Sequence, residues 1–234
     1  MNILAFDTST EACSAALLRA DGEVFSEFEV APRQHTKLLP KMMDAVLEAS
    51  QLAKADITHC AFANGPGAFT GIRIAASTAQ GIAIALDIPI AAISTLAVLA
   101  QASLDKHGLP DVLVALDARM GEAYWAVYES DNSGLAVLKG RENLNKLDDV
   151  FVADIPACGT GHGWIVGEEI WRQKFLREKS ITLDSALLPD SVALLKLARQ
   201  AIDNGNVVSS DHVSINYLRN KVAEKSKKNP LARG

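Results

Sequence analysis

The sequence has little of what several common classes of protein require. Its three cysteines, Cys13, Cys60 and Cys158, lie far apart and are odd in number, so neither a disulfide framework nor a cysteine-ligated metal site is expected. The N-terminus has neither the basic region nor the apolar run of a secretory signal. The most apolar stretch, residues 82–100, is interrupted by an aspartate and a proline, whereas a membrane span needs about 20 consecutive apolar residues. These absences favour a cytoplasmic protein with no membrane association.

Motifs of common catalytic classes are also missing. No H-E-x-x-H or G-x-S-x-G sequence is present, and none of the five histidines stands three or four residues from another. A zinc peptidase or a serine hydrolase built on a local motif is therefore not expected. The Walker-type phosphate loop and the dinucleotide fingerprint G-x-G-x-x-G are absent too. The sequence thus offers no local signature of a catalytic site.

The charge of the chain is unevenly distributed. Its 234 residues suffice for one large domain or two small ones, and 49% hydrophobic with 22% charged residues is typical of a soluble globular protein. The formal net charge is −5, yet residues 219–234 hold six basic residues and one acidic residue, which leaves about −10 on the rest. A basic tail on an acidic body is typical of contact with nucleic acid or a partner, and a solvated, frayed terminus is the alternative.

The order of the predicted elements indicates two related α/β lobes. The first half is predicted to contain strands at 2–7, 12–19, 23–30, 57–63 and 89–94 and helices at 36–49, 70–86 and 95–106. The second half begins again with strands at 111–117 and 122–129, continues through a polar and poorly patterned region at 131–149, and ends with an amphipathic helix at 189–203. Because Gly108 and Pro110 interrupt the chain, we expect an N-terminal lobe at 1–107 and a C-terminal lobe at 108–234.

Two loops that follow predicted strands carry residues suited to a nucleotide. Asp7 ends the first strand and Ser9 follows it, so a carboxylate there is placed to hold a magnesium-bound water. Asn64, Gly65 and Gly67 precede a helix whose N-terminus favours anions. The alternatives are a capped turn at the first loop and a tight strand-to-helix turn at the second.

Asp117 and Arg119, at a predicted turn between two strands, form the best remaining polar pair. They are suited to orient a nucleotide or a loop of a partner, and an exposed ion pair of little energetic value is the alternative. A second glycine-rich loop at 159–163 contains His162.

The helices predicted at 36–49 and 70–86 carry more apolar surface than one core contact needs. The first has two apolar rows with adjacent methionines, which suit an adaptable interface. The second has many small side chains, which let another helix approach closely. We therefore expect a helical subunit interface, with ordinary burial against a sheet as the alternative. Its predicted residues are Leu38, Leu39, Met42, Met43, Val46, Ile72, Arg73, Ala76 and Gln80.

Five segments, taken together and in this order, resemble the bacterial TsaB family, also called YeaZ. They are ILAFDTS at 3–9, HTKLLP at 35–40, GPGAFTGIR at 65–73, DARMGEAY at 117–124 and YLRN at 217–220. The resemblance implies an actin-like ATPase fold of two lobes, each a mixed sheet flanked by helices. It also implies a role in forming threonylcarbamoyladenosine on tRNA, at the adenosine beside the anticodon.

The resemblance implies partners as well. In that system the related protein TsaD is the catalytic subunit, TsaB is its non-catalytic partner, and an ATPase called TsaE joins them. TsaD has a metal-binding His-x-x-x-His after the strand equivalent to 89–94, where this chain has Thr95 and Leu99. Metal-dependent catalysis by this chain is therefore not expected. The expected partners are the TsaD-type protein, the TsaE-type ATPase, a second copy of the chain when it is alone, and tRNA indirectly.

No tightly bound cofactor is expected, and ATP or ADP with magnesium at the surface shared with the partner is the remaining option. Two alternative functions stay open. One is an autonomous actin-like ATPase or small-molecule kinase, with Asp7 and the loops at 65–67 and 159–163 around the nucleotide. The other is a protease acting on the partner, for which the sequence offers no constellation of residues.

Overall fold

The computed structural model describes residues 1–176 and 180–219, so most of the predicted basic tail lies outside the described residues. The first sheet consists of β1 (Ile3–Asp7), β2 (Ala12–Leu18), β3 (Val24–Val30), β4 (His59–Ala63) and β5 (Ile90–Ile93). The second consists of β6 (Asp111–Arg119), β7 (Glu122–Ser130), β8 (Ala136–Lys146), β9 (Cys158–Thr160) and β10 (Thr182–Asp184). The helices are α1 (His35–Ser50), α2 (Phe69–Leu86), α3 (Thr95–His107), α4 (Gly163–Val166), α5 (Glu168–Phe175) and α6 (Ser191–Asp203).

The two sheets share one topology. The strand order is β3-β2-β1-β4-β5 in the first sheet and β8-β7-β6-β9-β10 in the second. In each sheet the first three strands along the chain pair antiparallel, and the last two run parallel to the central strand. This repeated order confirms the two related lobes and the mixed, helix-flanked sheets of the actin-like ATPase fold.

Helices cover both faces of the first sheet. One face packs against α1 and α2 through side chains such as Phe6 and Phe62, and the other packs against α3 and α6 through Ile3 and Ala5. Strands β1 and β2 are buried along their whole length as a result. Burial on both faces explains why these strands read as continuous apolar runs rather than as alternating patterns.

The chain returns to the first lobe after β10, which corrects the predicted C-terminal lobe at 108–234. Helix α6 buries Leu194, Leu195 and Ala198 against the first sheet. Val208 then pairs with Ile90 at the end of that sheet. The second lobe therefore ends near β10, because the apolar face of α6 fills the otherwise uncovered side of β1 and β2.

Helix α2 is long and apolar enough to cross a membrane, judged by length and composition alone. In this fold it lies against the first sheet, with Ile72, Ala75 and Ala79 in the core. Its outer side is less covered, since the side chain of Ile84 is 66% exposed. One such helix is weak evidence of a membrane span, because the core helix of a soluble protein passes the same test of length and composition.

Candidate functional site

A cleft of about 760 Å³ lies between the two lobes. Its walls come from the turn after β1, the N-terminal end of α2, the turn between β6 and β7, and the chain segment 216–219. We call residues 213–219 the C-terminal strap, since this segment crosses from the first lobe to the second. If the predicted nucleotide-facing residues act together, they should line this cleft.

The glycine-rich loop is explained by close packing. A Cβ atom at Gly67 would overlap the carbonyl oxygen of Ser9, and one at Gly71 would overlap that of Thr8. The Ala68 N–H donates to the Ser9 carbonyl at 2.7 Å, and the Thr8 hydroxyl donates to the Gly71 carbonyl at 2.7 Å. The glycines therefore allow α2 to begin directly against the turn after β1, which fits the strand-to-helix alternative for this loop.

The C-terminal strap covers Asn64 and Gly65, the other two residues of this loop that the sequence predicted to face a nucleotide. The Asn216 N–H donates to the Asn64 carbonyl at 2.9 Å. A Cβ atom at Gly65, whose φ is +106°, would lie 3.0 Å from the Asn216 carbonyl oxygen. Asn64 and Gly65 are consequently not part of the cleft wall, although the sequence predicted that they face a nucleotide.

Asp7 is also withdrawn from the cleft. It is 2% exposed, and its Oδ1 accepts a 2.6 Å hydrogen bond from the Ser9 N–H. Burial raises the pKa of this carboxyl from 3.8 to about 6, although the hydrogen bonds with Ser9 oppose the shift. Its Oδ2 has no hydrogen-bond partner among the described residues. A carboxylate in this position is poorly placed to hold a magnesium-bound water in the cleft.

Four of the predicted nucleotide-facing residues do line the cleft: Ser9, Gly67, Asp117 and Arg119. Asp117 accepts from the Arg119 N–H at 2.7 Å and pairs with the Arg119 guanidinium at 2.9 Å. The Arg119 side chain is 84% exposed, so this ion pair contributes little to stability. Both predicted interpretations of the pair are compatible with this geometry.

Nothing in the described part of the chain resembles a metal centre. Thr95 and Leu99, at the positions where the resemblance places metal-ligating histidines in TsaD, are both fully buried. Leu99 belongs to the core between α3 and the second sheet. No group of three histidine, cysteine, aspartate or glutamate side chains among the described residues could hold a metal ion. Leu99 thus packs among apolar side chains, whereas the Thr95 hydroxyl is buried without a hydrogen-bond partner among the described residues.

A cluster of Ser209, Asp211 and His212 contains the residue types of a hydrolase triad. The Ser209 hydroxyl contacts His212 Nδ1 at 2.9 Å and donates to Asp211 at 2.6 Å. The three residues lie within one short exposed turn. Asp211 contacts Ser209 as well as His212, so it does not serve to orient the histidine alone. A catalytic triad needs the carboxylate on one imidazole nitrogen and the serine on the other. The cluster is therefore a turn, and it gives no support to the protease hypothesis.

The residues predicted for a partner interface divide into two groups. Five of them are buried inside this chain and pack in the first core: Leu39, Met42, Val46, Ile72 and Ala76. Leu38 and Met43 are half-buried, and Arg73 and Gln80 are exposed. The Arg73 guanidinium stacks 3.3 Å from the centre of the Phe69 ring, and the Gln80 amide donates to the Ser210 carbonyl. Only the second group reaches the surface, and Leu38 and Met43 within it also pack against the first core.

Sequence reasoning missed two polar residues that join the lobes. Glu142 on β8 accepts from Asn216 of the strap at 2.7 Å and from the Tyr128 hydroxyl at 2.8 Å. Ser94, at the start of α3, donates to the same carboxylate. No local pattern marks either Glu142 or Asn216, because they lie 74 positions apart. Glu142 also lies in the polar region at 131–149, where the sequence shows no clear helical or strand periodicity.

Comparison with known proteins gives consistent results. A family model described as "TsaD: tRNA N6-adenosine threonylcarbamoyltransferase" matches residues 28–156, more than half of the chain. The "tRNA threonylcarbamoyladenosine biosynthesis protein TsaB" of Escherichia coli is 38% identical, and the match covers 96% of this chain and 97% of that protein. The protein of the same name from Haemophilus influenzae is 34% identical, with 96% of each chain covered.

Among solved structures, "YeaZ from Pseudomonas aeruginosa" superimposes with a TM-score of 0.83 at 38% identity, covering 92% of this chain and all of that one. A second Pseudomonas aeruginosa structure, described as similar to peptidase YEAZ, gives a TM-score of 0.85 at 39% identity. It covers 93% of this chain and 99% of that chain. The fold and the sequence therefore lead to the same group of proteins.

Proposed function

This chain belongs to the TsaB family, and on that premise we propose that it is the non-catalytic partner of a TsaD-type threonylcarbamoyl transferase. In this role it is needed to form threonylcarbamoyladenosine on tRNA, at the adenosine beside the anticodon. The observation that supports the non-catalytic role is that Thr95 and Leu99, both buried and neither with an imidazole, occupy the positions where the resemblance places metal-ligating histidines in TsaD.

The surface for the partner is the open side of α1 and α2. It contains Leu38 and Met43 on α1 and Arg73, Gln80 and Ile84 on α2. Phe69 adds a ring that is 54% exposed under the Arg73 guanidinium. Aromatic, arginine and methionine side chains are enriched at protein interfaces. In the absence of the catalytic partner, a second copy of this chain occupies the same surface, and a TsaE-type ATPase joins the complex.

Three of the residues predicted to face a nucleotide do not reach the cleft, so we infer that this chain alone does not bind a magnesium nucleotide. Asp7 is buried behind the Ser9 turn, and the strap covers Asn64 and Gly65. We place ATP or ADP with magnesium at the surface shared with the partner. The burial of these residues also speaks against the autonomous ATPase or kinase, for which calorimetry of the isolated chain with magnesium-ATP is the direct test. Appreciable binding heat would favour that alternative.

The proposed function is tested by reconstitution. Modification of a tRNA transcript is measured with the TsaD-type protein and the TsaE-type ATPase, with and without this chain. We expect threonylcarbamoyladenosine only when this chain is added. Full activity without it, or none with it, would contradict the proposal.

Interface variants locate the surface. A charge at Met42 or Ala76 is uninformative, since both side chains pack in this chain's own core. We therefore choose Ile84→Asp, which places a charge on the open side, since the Ile84 side chain is 66% exposed and Met43 also packs against the core. The substitution is expected to weaken association with the partner by on the order of tenfold or more. Phe151→Asp is the matched control, because Phe151 is an exposed apolar side chain (76%) that belongs to neither helix.

A further inference from the structure

Strand β3 lies at one edge of the first sheet, and its pairing with β2 determines which backbone groups face outward. The Arg19 N–H donates to the Glu23 carbonyl at one end of this ladder. The Ala31 N–H donates to the Glu11 carbonyl at the other end. Because hydrogen-bonded and non-hydrogen-bonded pairs alternate in an antiparallel ladder, the odd-numbered residues of β3 bond to β2. The even-numbered residues direct their N–H and C=O groups away from the sheet: Val24, Ser26, Phe28 and Val30.

These outward backbone groups form a free strand edge. No hydrogen bond from the described part of the chain reaches them. The side chains of Phe28 and Val30 are 49% and 54% exposed, so the described ranges leave this edge open to solvent. A free edge of this kind is a template on which another strand can pair.

A groove of about 760 Å³ lies beside this edge, on the α6 side of the sheet. Phe28 lies opposite Ser14, whose hydroxyl forms a 2.7 Å hydrogen bond with that of Ser191 at the start of α6. The even-numbered side chains of β3 therefore face the α6 side, where α6 covers β1 and β2 and leaves β3 exposed. The apolar walls of the groove are Phe28, Val30, Leu187, Leu188 and Val192.

The charges around the edge favour a basic occupant. The groove lysines, Lys106 and Lys196, are already paired with aspartates. On the opposite face of β3, Glu27 and Glu29 are exposed, and neither forms an ion pair with another described residue. An added strand would place alternate side chains beside these glutamates. Opposite charges across two strands stabilise their pairing, whereas like charges destabilise it.

A second copy of this chain fits the edge poorly. When β3 pairs with itself antiparallel over its full length, Glu27 lies directly opposite Glu27 of the second copy. Two carboxylates in that position repel each other. The acidic face of β3 therefore disfavours self-pairing and selects a strand of opposite charge.

We propose that β3 docks an extended segment of another protein as a further strand of the first sheet. Apolar side chains of this segment occupy the groove and alternate with lysine or arginine side chains beside Glu27 and Glu29. In this mode of recognition, main-chain hydrogen bonds provide affinity and the alternate side chains provide specificity. The groove shares no lining residue with the cleft between the lobes, and the site goes beyond the proposed function.

The first test uses a capped, fluorescently labelled peptide, Val-Lys-Val-Lys-Val-Lys-Val, and the full chain. Binding is followed by anisotropy at about 150 mM salt, where distant charges are screened. Amide hydrogen exchange is then measured by NMR with the peptide bound. Exchange should slow at Ser26 and Phe28, whose N–H groups face outward, and stay unchanged at Phe25 and Glu27, which already bond to β2. Unchanged exchange at Ser26 and Phe28 would overturn the inference.

A charge reversal tests the acidic face. Glu27→Lys with Glu29→Lys should weaken binding of this peptide by about tenfold or more and favour a peptide of alternating valine and glutamate. Glu168→Lys with Glu169→Lys is the matched control, because it changes the net charge equally at two exposed residues of α5. The control should stay within about twofold of the wild type. Equal weakening by both double variants would overturn the inference.

N-methylated peptides separate strand addition from simple charge attraction. In an added strand, the N–H groups of alternate residues face β3, and the others face away. Methylation of the valine nitrogens or of the lysine nitrogens, but not both, should therefore abolish binding. An equal effect of the two methylations would refute strand addition, as would no saturable binding up to about 1 mM peptide. If the free chain instead dimerises through β3 and Glu27→Lys alters that dimer, the occupant is a second copy and the proposal is wrong.

Discussion

Asn216 Nδ2 donates a 2.7 Å hydrogen bond to Glu142 Oε2, and this contact joins the C-terminal strap to the second sheet. The other oxygen of Glu142 accepts from the Tyr128 hydroxyl and from Ser94 at the start of α3. Burial, together with the proximity of this carboxylate, raises the pKa of Tyr128 well above 10. One carboxylate therefore connects β7, β8, α3 and the strap.

Replacement of Glu142 by glutamine is expected to weaken this connection. Glutamine removes the negative charge and replaces one of the two acceptor oxygens by an NH2 donor, so the charge-assisted hydrogen bonds from Asn216, Tyr128 and Ser94 are lost or weakened. Loss of a charged hydrogen bond from a partly buried site costs about 1–3 kcal/mol in the free energy of unfolding. Chemical denaturation measures the change. Glu129→Gln is the control, because Glu129 is an exposed β7 residue whose side chain has no hydrogen-bond or ion-pair partner in the described part of the chain. An equal effect of both substitutions would contradict the prediction.

Two glycines of α2 give an internal comparison. A Cβ atom at Gly71 would overlap the Thr8 carbonyl oxygen, whereas a Cβ atom at Gly81 meets nothing within 4 Å. We expect Gly71→Ala to destabilise the protein by about 3 kcal/mol or more, since α2 must move away from the turn after β1. Gly81→Ala should stabilise it by about 0.5–1 kcal/mol, because alanine favours a helix interior. The midpoints of thermal unfolding should move in opposite directions, and a similar response of both would refute the packing role of Gly71.

The raised pKa of the Asp7 carboxyl predicts how the stability of the protein depends on pH. Burial raises its pKa from 3.8 to about 6, so between these values the folded state binds more protons than the unfolded state. The stabilisation from protonated Asp7 is therefore fully present below about pH 4 and lost as the pH rises through about 6. Asp7→Asn does not titrate and keeps an oxygen that accepts from the Ser9 N–H.

The measurement is the free energy of unfolding of Asp7→Asn relative to the wild type. The variant should gain up to about 3 kcal/mol on the wild type between about pH 4 and pH 7. Using the difference between the two proteins removes the contribution of the other carboxylates. A difference that stays constant over this range would show that Asp7 is ionised normally.

The fold followed from the sequence where burial is continuous. Strands β1 and β2 are buried from end to end, so the sequence alone indicates them as apolar runs, without knowledge of the strands that pair with them. Strand β8 was not predicted from the sequence. It is an edge strand that is largely exposed, and it contains a bulge opposite the stretch from Trp125 to Val127. Exposure on an edge removes the alternation from which strands are predicted.

The candidate site was less predictable, because its decisive contacts are long-range. An apolar face on α1 looks the same whether it packs on its own sheet or on a partner, so Leu39 and Met42 could not be separated from Leu38 and Met43. The covering of Asn64 by Asn216 depends on a return of the chain to the first lobe. The return of the chain to the first lobe also places α6 on the first sheet. Neither the packing of α6 nor the contact of Asn216 with Asn64 leaves a local signal in composition or spacing.

The turn between β6 and β7 gives a last prediction. Met120 has a φ of +58°, and the left-handed conformation costs a residue with a side chain about 1–2 kcal/mol. Glycine avoids this cost but loses about 0.5–1 kcal/mol through its greater freedom in the unfolded chain. Met120→Gly is therefore expected to raise the free energy of unfolding by about 0.5–1 kcal/mol, measured by chemical denaturation.

Asn132→Gly is the matched control for this turn. Asn132 is an exposed residue in the turn between β7 and β8, and its φ is not positive. Glycine there brings only the entropic cost, so stability should fall by about 0.5–1 kcal/mol. Stabilisation by both substitutions, or by neither, would mean that Met120 is not strained. Stabilisation by Met120→Gly alone would show that the turn beside Arg119 is kept in its shape against its own conformational preference, as expected of a surface retained for binding.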